Sequence, residues 1–344
     1  MIFIKRIVIF VGLWVWLIGC KGSPDASESL IIVNEVDVIT IPFEGDITSR
    51  SAEISGLTWY GDTLIILPQY PEIFPTEVGG SLFSFSKKDI LNYLAGNSTD
   101  AIAPQVIPFD DSGLGENIPG FEGFEAIGFF GERGFLTIEA EMSKGMMGYI
   151  VSGEIQPDSS AFHLNANSLQ EIHPQSELDN FTDESVLIFD DQILTFYEAN
   201  GANVNHQPVG HGFDFDLNPT EDVAFPTIEY RITDVTTLDD ENRFWAINYH
   251  FSGEAKKLDP APDSLVLEYG QGASHAESKH VERLVEFQYT SDGIIRTARP
   301  PIQLHLLDNG KARNWEGIVR LDDLGFLLMT DKHPGTILGF VPFP

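Results

Sequence analysis

The sequence predicts an all-β protein, a β-propeller of five four-stranded blades. Three observations predict it. Short apolar runs are broken by Gly, Asp, Asn and Pro, with little helical periodicity. A hairpin pattern recurs five times. A strand-like stretch near the amino end, LIIVNEVDVITI (30–41), has no neighbouring strand of its own. With 344 residues and 42% hydrophobic content, the chain has the means to bury a sizeable core. Its 20 Lys and Arg against 52 Asp and Glu give a formal charge of −32, which repels polyphosphate backbones and argues against a nucleic-acid partner.

The first twenty residues read as an address. Lys5 and Arg6 precede an apolar run from Ile7 to Leu17, and Gly19 precedes Cys20. Leu17-Ile18-Gly19-Cys20 resembles a bacterial lipobox, which implies a signal peptide over 1–19 and a diacylglyceryl group on Cys20. By resemblance to Gram-negative sorting signals, Lys21 in place of Asp implies the outer membrane. Residues 20–29 then form the lipidated Cys and a polar tether, and 30–344 a single propeller domain. The membrane is met through the Cys20 lipid only, a monomer is expected, and the single Cys leaves no internal disulfide.

The repeated segments are 55–69, 125–141, 184–200, 233–250 and 316–333. Each opens on an acidic or hydroxyl residue, runs through an apolar strand, turns at GD, GE, DD, DDEN or DD, and returns as a second apolar strand. Two more strand-like runs follow each of the first four segments: 81–86 and 105–109, 148–155 and 168–174, 210–217 and 227–232, 281–290 and 302–307. The fifth is followed only by 336–343, so 30–41 supplies the missing strand and closes the ring, which removes an exposed sheet edge. Lys87–Leu94 is the best helix candidate. A sixth blade within 251–280 is the alternative architecture, and 251–279 is also the longest loop, placed to overhang the ring as a partial lid.

First strands of propeller blades line the axis, so the segment starts Ser55, Glu125, Glu184, Thr233 and Glu316 are expected to converge. Clustered carboxylates repel unless protonated or bridged by a cation. An all-oxygen ring suits Ca²⁺; Mg²⁺ demands tighter octahedral geometry, and zinc would want His or Cys. The second strands return to the same face. They are expected to bring Gln69, Lys144, Asn200 and Lys332 there as substrate contacts, and Glu141, His250, Asp331 and His333 as candidate acids or bases.

The order of these residues, with Glu53-Ile54-Ser55-Gly56-Leu57, Glu184-Ser185-Val186 and Trp315-Glu316-Gly317-Ile318, resembles the calcium-activated nucleotidases (apyrases). That resemblance implies a five-bladed propeller with an axial Ca²⁺ on Ser55, Glu125, Glu184, Thr233 and Glu316. Where the nucleotidases carry arginines that grip phosphates, this chain reads Pro68-Gln69-Tyr70-Pro71 and Glu198-Ala199-Asn200-Gly201. Only Lys144 and Lys332 with His333 supply positive charge there. The Ser-Gly-Leu and Glu-Gly-Ile strings also look like bacterial phytase-like (esterase-like) propeller proteins, many of them lipidated. No nucleophile elbow, dinucleotide loop or Walker motif is present. The function expected is a Ca²⁺-holding, non-catalytic binding or scaffold module for a small-molecule or surface ligand. A Ca²⁺-dependent phosphohydrolase or esterase is the alternative.

Overall fold

The chain enters along an edge as β1 (Ile32–Val33), β2 (Glu35–Val36) and β3 (Ile39–Ile41). The structure, a computed structural model, describes residues 31–344, so the expected signal peptide and Cys20 lie outside the described residues. The first repeated segment folds as β4 (Ile54–Tyr60) and β5 (Thr63–Pro68), continued by β6 (Gly80–Ser86), the helix α1 (Lys87–Leu94) and β7 (Gln105–Asp110). The second gives β8 (Phe121–Phe130), β9 (Arg133–Met142) and β10 (Gly145–Ile155); β11 (Phe162–Leu164) and β12 (Gln170–Ile172) both pair with β10. The third gives β13 (Asp183–Phe189), β14 (Gln192–Tyr197), β15 (Val209–Asp214) and β16 (Val223–Ala224). The fourth gives β17 (Arg231–Val235), β18 (Arg243–His250), the two-residue β19 (Gln271–Gly272), β20 (Val281–Thr290), β21 (Gly293–Arg296) and β22 (Ile302–Leu304). The fifth gives β23 (Trp315–Leu321), β24 (Gly325–Thr330) and β25 (Leu338–Pro342).

The turn residues explain the hairpins. Gly61 (φ 58°), Gly131 (φ 59°), Asp190 (φ 49°), Asn242 (φ 57°) and Asp322 (φ 49°) take the left-handed conformation that Gly, Asn and Asp tolerate best. The strands read as unbroken apolar runs because both of their faces are covered. Ile54, Leu64, Ile66 and Phe85 pack against Val319, Leu327 and Met329 of the fifth group. Ile65, Leu67 and Leu82 pack against Phe124, Leu136 and Ile138 of the second. Similar clusters join the second group to the third, the third to the fourth and the fourth to the fifth. The first strands follow the same circuit: β4 lies beside β8, β8 beside β13, β13 beside β17, β17 beside β23, and β23 beside β4. The result is an all-β, propeller-like fold.

Four features differ from the sequence expectation. The stretch 30–41 is three short strands, of which β3 pairs antiparallel with β25 while β2 adds in parallel to β22. The run 227–232 is not the last strand of the third group: β16 fills that role and Arg231 opens the fourth. β7 and β11 run parallel for two residues, Phe162 facing Phe109 and His163 facing Asp110, which joins the first two groups into one nine-stranded sheet. The segment 251–280 is helical in short pieces (Ala255–Leu258, Ser264–Tyr269 and Ala273–Ala276), with only β19 in strand form, pairing parallel with β1. These helices are too brief to show a periodicity. Asp263 caps the middle one, its carboxylate accepting from the main-chain N–H groups of Leu265 and Val266.

Candidate functional site

In each hairpin of the circuit, pairing slips at the start of the first strand. The register skips between Ile54 and Gly56, Phe124 and Ala126, Asp183 and Ser185, Ile232 and Val235, and Trp315 and Gly317. The unpaired residues are Ser55, Glu125, Glu184, Thr233 with Asp234, and Glu316. A β-bulge leaves one residue out of the ladder and re-aims its side chain. Four of the five expected ring residues, Ser55, Glu125, Glu184 and Glu316, thereby line one cavity of about 690 Å³.

The fourth bulge holds two residues, and Thr233 is not part of the lining. Its hydroxyl is buried and donates to the carbonyl of Trp315 at 2.6 Å. Asp234 is also buried, accepting from the main-chain N–H groups of Val235 and Ile318 at 2.8 Å each.

Among the cavity-lining groups, the buried cation is Arg231, which the sequence reading passed over. Its Nη2 lies 3.2 Å from Glu316 Oε1 and 3.5 Å from Glu184 Oε2, its Nη1 3.8 Å from Glu254 Oε1, and its Nε is paired with Glu198. Burial works against its charge, and Glu316, Glu184 and Glu254 outweigh that effect. Beyond the guanidinium, Glu125 accepts from Gln69 Nε2 at 2.9 Å and Glu139 from Thr182 Oγ1 at 3.2 Å. Burial, then Glu139 and Glu184, holds the Glu125 carboxyl well above the usual carboxylate range. Burial, then Glu184, pushes Glu139 up to about 8. Glu184 is pushed up to about 7 by burial, against the pull of Arg231. Glu316 is likewise raised by burial, with Arg231 pulling the other way.

The rim is mixed. Lys332 pairs with Glu53 at 2.7 Å, and Arg50 reaches His333 Nδ1 at 3.1 Å. Asp331 accepts from Asn314 at 3.1 Å. Phe251, Glu254 and His280, at the two ends of the 251–280 segment, form part of the wall, where that segment was expected to overhang. Its far side is fastened: Glu35 accepts from Ser274 Oγ and His275 Nδ1, and Arg283 forks onto Asp263 at 2.8 and 3.1 Å.

Of the other candidates, Gln69, Asp331, Lys332 and His333 line the cavity. Glu141 and Lys144 do not; both are exposed around the β9–β10 turn. Glu139, two residues earlier on β9, lines it instead. Asn200 is fully buried, its amide held by the Tyr197 carbonyl and by Asn205. His250 is buried behind the wall, stacked on Tyr230 with ring centroids 4.6 Å apart; burial, then His280, lowers it to about 4. It therefore stays neutral at working pH and away from the cavity. Of the residues missed, Glu53, Arg231 and Asn314 each stand two positions before an expected ring position, a spacing that Glu139 and Glu254 do not share.

Among the described residues, no three His, Cys, Asp or Glu are drawn to metal-ligating spacing. Comparison with protein families and with curated protein sequences returned no match. Solved structures give coarse likenesses of fold. A candidate glycoside hydrolase from Parabacteroides distasonis is 12% identical, with 93% of this chain and 95% of that one covered and a TM-score of 0.44. The GH32 β-fructofuranosidase of Bombyx mori is 9% identical over 90% of this chain and 60% of that one, with a TM-score of 0.45. The catalytic domain of the GH62 α-L-arabinofuranosidase of Coprinopsis cinerea is 7% identical over 90% and 96%, with a TM-score of 0.44. None of the three is a nucleotidase or a phytase-like propeller, the families that the sequence resembles.

Proposed function

We propose that the five strand groups are the blades of a propeller and that its axial cavity is a cation-binding site, with Ca²⁺ as the fitting ion. The protein is then a non-catalytic binding or scaffold module, held at the bacterial outer membrane by a lipid on Cys20. One observation carries the reading. Glu184, Glu198, Glu254 and Glu316 share one guanidinium, while Glu125 and Glu139 face the same space with only neutral hydrogen-bond partners. Such a deficit of positive charge is met by protons or by a cation. The donors are all oxygen, which suits a hard divalent ion with flexible coordination. Oxygens without partners remain beside the cavity, on Glu254 and Asp331. The groups that would hold the ion are Glu125, Glu139, Glu184 and Glu316, which would have to draw together from the wider spacing they keep here, with Ser55 beside them; Thr233, its hydroxyl committed to a carbonyl, is not among them. Calorimetric titration of the purified protein with Ca²⁺ tests this. Binding that is lost in Glu184→Gln is expected; no heat and no change in melting temperature would remove the reading. Mass spectrometry of the mature amino terminus tests the acylation of Cys20.

A second reading is favoured by Glu139 and Glu184, whose raised values of about 8 and about 7 suit proton transfer near neutrality. In a Ca²⁺-dependent hydrolase of phosphate esters, Glu139 would deliver the proton and Lys332 and His333 would meet the anionic group at the rim. A bound Ca²⁺ would polarise a substrate oxygen. Turnover of a phosphate-ester panel that needs both Ca²⁺ and Glu139 would replace the binding reading with this one.

A further inference from the structure

We propose that Arg231 is the resident counter-ion of the cavity and sets the terms on which a metal cation enters it. This rests on the cation reading above. The guanidinium is held from several directions. Glu184 comes from the start of β13, Glu198 from just after β14, Glu254 from the 251–280 segment and Glu316 from the start of β23. Asn314 Oδ1 accepts from Nη1 at 3.5 Å. The rings of Tyr249 and Phe181 lie 5.5 and 5.9 Å from the guanidinium carbon. A planar fork with several donors is the one protein cation able to satisfy that many acceptors at once, and a lysine ammonium would not span them.

Two consequences follow from this placement. The carboxylates of two strand groups and of the 251–280 segment are neutralised in part without a metal, so the protein folds in metal-free conditions. The same positive charge stands within 4 Å of the oxygens that an entering divalent ion would need. Repulsion between like charges at such range in a partly buried site is strong. The carboxylates are accordingly spread around a guanidinium instead of gathered at ligand spacing. Arg231 thus tunes the site to weak, conditional occupancy, and its removal converts an accommodating cavity into one that requires metal.

The test compares the parent protein with Arg231→Gln and Arg231→Lys at pH 7.5, in chelator and in Ca²⁺, by melting temperature and calorimetry. Arg231→Gln is expected to melt roughly 10 °C lower in chelator, to recover most of that loss in Ca²⁺, and to bind Ca²⁺ about tenfold more tightly than the parent. Arg231→Lys keeps the charge and should bind Ca²⁺ no more tightly than the parent. The inference is overturned if Ca²⁺ fails to restore Arg231→Gln, including the case where that variant never folds. It is also overturned if the variant's affinity equals or falls below the parent's, or if Arg231→Lys gains as much as Arg231→Gln. If the parent takes up no Ca²⁺ while Arg231→Gln does, the native cation reading falls and the counter-ion role stands. Parent binding with no gain in the variant gives the reverse, and no binding in either removes both.

Discussion

Asp234, on the first strand of the fourth group, accepts the main-chain N–H of Ile318 on the first strand of the fifth at 2.8 Å. Its other oxygen takes the N–H of Val235 at 2.8 Å. One buried carboxylate therefore ties the fourth strand group to the fifth. Asp234→Ala should destabilise the protein by about 3 kcal/mol, because it strands buried N–H groups. Asp234→Asn, which keeps the volume and one acceptor, should cost less. Urea unfolding midpoints measure both; equal stability of all three proteins would show that the tie contributes nothing.

Thr233 is predicted to matter for packing and not for cation binding. Its hydroxyl is committed to the Trp315 carbonyl. Thr233→Val should cost about 1 kcal/mol and leave the Ca²⁺ affinity unchanged. A large loss of affinity would return Thr233 to the ligand set.

The pH dependence of stability has a definite sign. Glu139 and Glu184 stand at about 8 and about 7 in the folded protein against an ordinary value of 4.5. The folded state therefore holds more protons than the unfolded chain between those limits, and stability falls as pH rises through them. In chelator the melting temperature should be highest near pH 5 and decline towards pH 8. Saturating Ca²⁺ should flatten that decline, since metal takes the place of the protons. A melting temperature that climbs from pH 5 to 8 in chelator contradicts the placement of these carboxylates.

Gly123 connects packing to the site. It sits at φ 128°, and a Cβ there would lie 2.3 Å from Gln69 Cγ and 3.0 Å from the Gln69 carbonyl. Gln69 in turn holds Glu125. Gly123→Ala should cost about 2 kcal/mol through the clash and the backbone strain. It should also shift the Ca²⁺ affinity by freeing Glu125. Unchanged stability and affinity together would show that Gln69 does not fix that carboxylate.

Much of the architecture was legible because repeated turns impose themselves locally. Each hairpin of the circuit turns where Gly, Asp or Asn stands in the sequence, and α1 spans Lys87–Leu94 as its apolar positions required. The bulge residues were legible for a related reason: each stands before a Gly, Ala, Ser or Asp that opens an apolar strand. What stayed hidden depends on long-range placement. Arg231 reads as the penultimate residue of TIEYRI and only becomes a neighbour of Glu184, Glu198 and Glu316 when β17 takes its place beside β13 and β23. Glu139 and Glu141 obey the same alternation, and the end of the cavity wall alone separates them. Thr233 fits the ring pattern in type, but the two-residue bulge spends its hydroxyl on a carbonyl.

The pairing of Ile39–Ile41 with Leu338–Pro342 has a bearing on how the molecule comes into being. During synthesis the early strand emerges long before its mate, and its row of N–H and C=O groups stays unsatisfied while some three hundred residues are added. Contacts of such sequence separation form late and slowly. Until the last strand is delivered, that early segment is the part of the nascent chain most open to pairing with a neighbour, and the part a chaperone has most reason to cover.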